Sequence, residues 1–166
     1  MARNYLVLED GTVLEGEAFG YDKAQTGEVV FTTAMGGYQE SITDPSYQGQ
    51  ILIDTYPLVG NYGIMDTANQ SSGVHIRALV VREYCKEPSL MYGGRTLDSF
   101  LKEHKVPAIS GIDTRELVLK IRSQGTLKGA IVYDDAVIDE TISKLKKMPA
   151  PSESNLVAEV DRHGYR

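Results

Sequence analysis

The chain has little cysteine: among 166 residues Cys85 stands alone, so neither an internal disulfide nor a cysteine-based metal cluster can form. Cys85 follows an apolar run in "REYCKEP" without the glycine-flanked elbow and adjacent base that an activated thiol needs, so it reads as a structural or incidental thiol. Positive charge is also short. Seventeen Lys and Arg face 23 Asp and Glu, for a net charge of −6. That balance disfavours a nucleic-acid backbone, where basic side chains must replace condensed counterions. Long apolar runs are missing too. The opening "MARNYLVLEDG" holds four consecutive apolar residues, too few for a signal-peptide core or a membrane span, and the expected setting is cytoplasmic. Phosphate-loop and dinucleotide fingerprints are absent: Gly93 to Arg95 and Gly60 to Gly63 lack the strand-glycine-helix frame. The three histidines, His75, His104 and His163, share no metal-ligand spacing and read as capping or solvated groups. No metal and no cofactor is expected, and no catalytic residue can be nominated.

What is present is an ordinary soluble composition, 42% hydrophobic and 24% charged, in a length that buries roughly two thirds of its unfolded surface. "YLVLEDGTVLEGEAFG" predicts two strands around a tight turn at Asp10-Gly11. "EVVFTTAM" (28–35) and "QILIDTYP" (50–57) predict strands, and "VHIRALVVREY" (74–84) a strand buried on both faces. After Arg95 the period changes. "TLDSFLKEHK" predicts a short helix capped by Thr96, with Leu97, Phe100, Leu101 and Val106 toward one side. "DTRELVLKIRSQG" predicts a second helix, started by Asp113 with Glu116 three positions on and stopped by Gly125. "KGAIVYDD" returns to strand, and "AVIDETISKLKKM" predicts a third amphipathic helix. The closing stretch, with its prolines and serines, reads as a linker. The whole is a mixed α/β domain.

"MGGYQESITDPSYQGQ" (35–50) fits neither a helix nor a strand. As a connector, Tyr38 and Tyr47 pack inward, Gly36 and Gly37 allow a turn, and Asp44 with Pro45 starts another, because proline fixes φ and aspartate bonds to the backbone beyond it. As a binding loop, it presents Ser46 and neighbouring amides on a proline-locked turn between core strands.

Three segments carry a resemblance: "GEVVFTTAMGGYQESITDPSYQGQILIDTYPLVGNYG", "SSGVHIRALVVREY" and "PAISGIDTRELVLKIRSQGTLKGAIV". In this order they are similar to the amino-terminal domain of the small subunit of glutamine-dependent carbamoyl phosphate synthetase. The resemblance covers nearly the whole chain. It departs at Gly37, where the family commonly has threonine, and around Met91 to Arg95. It implies a three-layer β/β/α "swivelling" domain with three to four helices over 1–148. It further implies that 149–166 is a linker toward a class I glutamine amidotransferase domain. These 166 residues contain neither the Gly-x-Cys-x-Gly elbow nor the His-Pro-Glu segment of that second domain. The chain is therefore expected to be inactive alone, as a piece of a longer subunit or a free-standing relative.

The partners implied are the large, ATP-using subunit, the glutaminase domain of the same subunit, and glutamine. Carried over by position, the serine of the Asp-Pro-Ser-Tyr turn, Ser46, is the residue associated with bound glutamine. Tyr38, Gln39, Glu40, Asp44, Pro45, Tyr47, Asn61 and Arg115 are candidates for the subunit interface or the loop that supports the site. Two other readings stand beside this one. One is a stand-alone ligand-binding or oligomerisation module. The other is a small enzyme whose site assembles in space from Asp44, Asp54, Asp66 and a histidine.

Overall fold

A computed structural model describes residues 3–33, 41–56, 74–84 and 96–148. Tyr38, Gln39, Glu40, Asn61, Asp66, Cys85, His163 and the 149–166 segment lie outside these.

The hairpin forms where Asp10-Gly11 predicts it. Strand β1 (Arg3–Leu8) pairs antiparallel with β2 (Val13–Gly20), Leu6 opposite Leu14. Gly11 takes φ +95° and the Thr12 amide donates to Asp10 Oδ1 at 3.0 Å, so the turn is an aspartate-held loop that only glycine enters without strain. Strand β3 (Gln25–Thr32) starts three residues earlier than the apolar run suggests, because its first residues pair with β7 (Leu127–Val132). Strands β4 (Gln50–Asp54) and β5 (Ala78–Val81) follow, the second buried at all four positions as its apolar centre requires. Helix α1 (Leu97–Glu103) is capped by Thr96, whose hydroxyl accepts from the Ser99 amide at 3.1 Å. Val106 lies beyond the helix yet is buried against the same cluster.

A strand the sequence does not announce, β6 (Pro107–Ser110), comes next. Helix α2 (Thr114–Gln124) begins at Asp113, which accepts from the Glu116 amide at 3.1 Å, and ends at Gly125, φ +80°. Helix α3 (Ile138–Lys147) closes the described chain with acidic residues in its first turn and lysines in its last, as the helix dipole favours.

The seven strands close into a barrel in the order β1-β2-β6-β5-β4-β3-β7. Strands β3, β4, β5 and β6 run parallel; the remaining pairings are antiparallel. Alternate residues point inward: Leu6, Val29, Ile51, Ile53, Val80, Ile109 and Ile131 form one cluster, completed by Ile112, Leu117 and Ile121 of the α2 region. On the outer face, Leu52, Leu79 and Phe19 pack beneath Phe100 and Leu101 of α1. Val7, Ala130 and Val132 pack beneath Leu145 of α3. The architecture is thus mixed α/β, with three complete α-helices among the described residues around one closed sheet.

Because β3 to β6 share a direction, the barrel has two chemically different ends. The amino ends receive the turn before β4. The carboxyl ends lie beside α2, through Gly111 N donating to Arg82 O at 2.9 Å.

Candidate functional site

At the amino end, residues Pro45–Tyr47 form a single 3₁₀ turn with Pro45 at its first position. Asp44 Oδ1 accepts from the Ser46 amide at 2.9 Å, and the Tyr47 amide donates to Asp44 O at 3.1 Å. Both halves of the expected turn chemistry are therefore present. Tyr47 packs inward against the outer-face cluster that includes Phe19, Ile42 and Leu52. Beyond the turn, Gly49 takes φ +78° and its amide donates to His75 O at 3.2 Å, tying the turn to the segment entering β5. Gly27 makes room: a Cβ there would stand 2.8 Å from Gly49 O. Pro45 and Ser46 are exposed, and the Ser46 hydroxyl has no hydrogen-bond partner among the described residues. The result is a braced turn that offers an uncommitted hydroxyl, able to donate to a carboxylate or accept from an ammonium group.

At the carboxyl end lies an open cleft of about 450 Å³. Thr33, Thr55 and Arg82, each one residue past the end of a parallel strand, form one wall. The other wall comes from α2 and its cap, including Thr114, Arg115 and Arg122. Arg122 lies over the Phe31 ring, 5.2 Å from its centroid, and Arg82 Nη1 approaches Asp113 Oδ1 at 3.9 Å. Arg115 thus belongs to this cleft and not to the turn. Strand β4 alone separates the two ends by roughly 13 Å at 3.3 Å per residue.

Asp44 caps the turn that precedes β4 and Asp54 ends that strand, so they lie at opposite ends of the barrel and do not meet as an acid-base pair. Asp54 is only 2% exposed, and burial pushes its pKa up to about 6 despite the Tyr56 amide it accepts at 3.0 Å. His104 caps the end of α1, its ring centroid 4.6 Å from that of Phe100. Among the described residues no group of three or more His, Cys, Asp or Glu side chains could hold a metal ion, and no helix is long and apolar enough to cross a membrane.

The family model for the carbamoyl-phosphate synthase small chain, CPSase domain, matches residues 6–131, from β1 into β7. The chain belongs to this family. A carbamoyl phosphate synthase small chain of Caldanaerobacter subterraneus subsp. tengcongensis is 53% identical over 142 residues, covering 84% of this chain and 40% of that protein. The small chain of Fusobacterium nucleatum subsp. nucleatum is 49% identical over 152 residues, covering 92% and 42%. A pyrimidine-specific small chain of Halalkalibacterium halodurans is 46% identical over 151 residues, covering 91% and 42%. The chain thus spans about two fifths of the length of these relatives.

Within this small-chain domain, the Asp-Pro-Ser-Tyr turn was legible because its chemistry is local. The cleft was not. Arg82 and Arg122 are 40 positions apart in sequence and meet only because α2 crosses the ends of the parallel strands. No spacing rule would have paired them.

Proposed function

We propose that this chain is the amino-terminal, non-catalytic part of the small subunit of a glutamine-dependent carbamoyl phosphate synthetase. It docks on the large, ATP-using subunit and supports a glutaminase site that supplies ammonia for carbamoyl phosphate, in the cytoplasm, for arginine and pyrimidine synthesis. Glutamine hydrolysis belongs to a class I amidotransferase domain in the part of the relatives' length that this chain does not span. The same reading takes the barrel with its flanking helices as a form of the family's three-layer β/β/α swivelling domain.

The observation that carries the reading at residue level is the Ser46 hydroxyl, exposed and uncommitted on a turn that Asp44, Pro45 and Tyr47 hold in place. A preformed turn reduces the entropy lost when the hydroxyl engages a ligand. In the full small subunit paired with its large subunit, Ser46→Ala is expected to weaken glutamine binding by about 1–2 kcal/mol, the worth of a hydrogen bond to a charged group. Equilibrium binding of glutamine to the complex measures it, and an unchanged affinity removes Ser46 from the glutamine site. Docking is tested separately by light scattering of the purified chain with the large subunit, where one-to-one association is the expected result. Purified, cysteine-blocked chain that hydrolysed glutamine would contradict the non-catalytic assignment.

A further inference from the structure

The cleft at the carboxyl end gathers positive charge in a chain whose net charge is −6. Arg82, Arg115 and Arg122 line it against one carboxylate, Asp113, so the lining carries a formal charge of +2. Asp113 is committed elsewhere, since its Oδ1 accepts from the Glu116 amide and caps α2. Its contact with Arg82 is long, at 3.9 Å, with both side chains more than half exposed. Arg115 has no ion-pair partner among the described residues.

Three features point these charges at a ligand and not at solvent. First, the site lies outside the carboxyl ends of adjacent parallel strands, where open parallel sheets commonly seat ligands. Second, α2 is 11 residues long and presents its first turn to the cleft. Asp113 satisfies the Glu116 amide, which leaves the amides of Thr114 and Arg115 outside the intrahelical ladder, at the positive end of the helix dipole. Third, Thr114 is 2% exposed, lines the cleft, and its hydroxyl has no hydrogen-bond partner among the described residues. Lining the cleft and bonded to nothing else among those residues, this hydroxyl is available to a group seated there.

We propose that this cleft binds a small anion bearing a phosphate or carboxylate group, seated on the first turn of α2 and clamped by Arg115 and Arg122, with Arg82 opposite. Arginine forks match both groups bidentately. The cleft volume exceeds what a bare phosphate fills and falls in the range of small-molecule sites, so the ligand carries a body beyond its anionic group. Val118 and the exposed Leu119 supply an apolar surface for that body. The proposal is independent of the glutamine reading, because Ser46 sits at the other end of the barrel.

Inorganic phosphate, phenyl phosphate and benzoate, titrated into the protein at its full natural length, test it. Heat and the amide chemical shifts of Thr114 and Arg115 follow the binding. Saturable binding is expected, with phenyl phosphate or benzoate tighter than phosphate and all three weakened by added salt. Preference for phenyl phosphate assigns the phosphate class, and preference for benzoate the carboxylate class. Arg115→Ala or Arg122→Ala should each weaken binding about tenfold, the scale of one lost charge-assisted contact. Thr114→Val, which keeps the branched shape and deletes the hydroxyl, should cost about threefold to tenfold. Arg77→Ala, at the opposite end of β5, should leave binding unchanged. Circular dichroism verifies that each variant is folded, and Arg115→Lys, which keeps the charge and loses the fork, should fall between native and alanine. The proposal is overturned if none of the probes saturates below about 50 mM, since paired charge-assisted contacts supply millimolar binding. It is equally overturned if binding survives both arginine changes unaltered.

Discussion

Asp54→Asn should stabilise this protein, and only above the pH at which the buried carboxyl ionises. Asp54 ends β4 between Thr32 and Val81, its register neighbours, and all three are buried. Burial raises its pKa from 3.8 to about 6, and the Tyr56 amide is the one opposing contribution. The shift of roughly 2 units, at about 1.4 kcal/mol each, puts the penalty for holding the charge near 3 kcal/mol at neutral pH. The native state binds the proton more tightly than the unfolded chain. The native advantage is therefore fully present below about pH 4, declines as pH rises through the interval from 4 to 6, and is gone above it. An amide side chain keeps an oxygen for the Tyr56 N–H and carries no charge. Urea unfolding at pH 4 and pH 8 should show the variant near parity with the native protein at the lower pH and about 2–3 kcal/mol more stable at the higher. Taking the difference between the two proteins at each pH cancels every other titration they share. A variant less stable than the native protein at pH 8, or a difference that does not change with pH, would refute the reasoning. Either result would mean that a cation compensates the carboxylate.

Asp10 makes the opposite case. Burial alone would raise its pKa, but bonds from the Thr12 amide and hydroxyl, Gln124 and Lys120 outweigh it and hold the carboxyl at about 2. Asp10→Ala should cost about 1–2 kcal/mol at pH 7, less than the full shift implies because its side chain is 21% exposed and water screens the contacts. That contribution is present above about pH 4 and vanishes as pH falls through 2, so the cost measured by urea unfolding should shrink in acid; a cost unchanged down to pH 2 would show that packing, not charge, is lost. Gly129→Ala should destabilise by about 1–3 kcal/mol, because the new methyl would stand 2.6 Å from Val29 Cγ2 in the closed barrel. A melting temperature equal to the native one would show that β3 yields more easily than a close-packed interior allows.

The signals that read correctly from sequence are those a few residues settle by themselves. Asp10 and Gly11 make their turn, Thr96 and Asp113 cap their helices, Gly125 stops α2, and Asp44 with Pro45 shapes the turn before Ser46. Strand β6 fails that standard. It is four residues long, begins with proline and shows no alternation, and its strand character comes from pairing with β2 on one side and β5 on the other. Barrel closure is non-local in the same way, since the β1–β7 pairing joins Tyr5 to Val132 across almost the whole described chain. Asp54 stood in the sequence as one carboxylate grouped with Asp44 and Asp66, and its burial came only from the strands on either side of it. Arg122 carries no signal in the sequence, because its place depends on β3 setting Phe31 beneath it.

The parallel run from β3 to β6 gives this domain two ends with different chemistry. At the amino ends the chain enters through a turn whose exposed group is a neutral hydroxyl, suited to directional hydrogen bonding. At the carboxyl ends a helix start and three arginines face outward, suited to negative charge. Between them lies an interior of Leu, Ile and Val side chains contributed by the strands and sealed by α2. Such an interior is close-packed and of low compressibility, so it holds the two ends at a fixed separation. Coupling between the ends would need an element with two discrete arrangements, and the strands that join them are pinned on both sides by pairing around a closed sheet. The Ser46 turn and the arginine cleft are therefore separate surfaces of one closed sheet, joined by strands with no second arrangement to switch between.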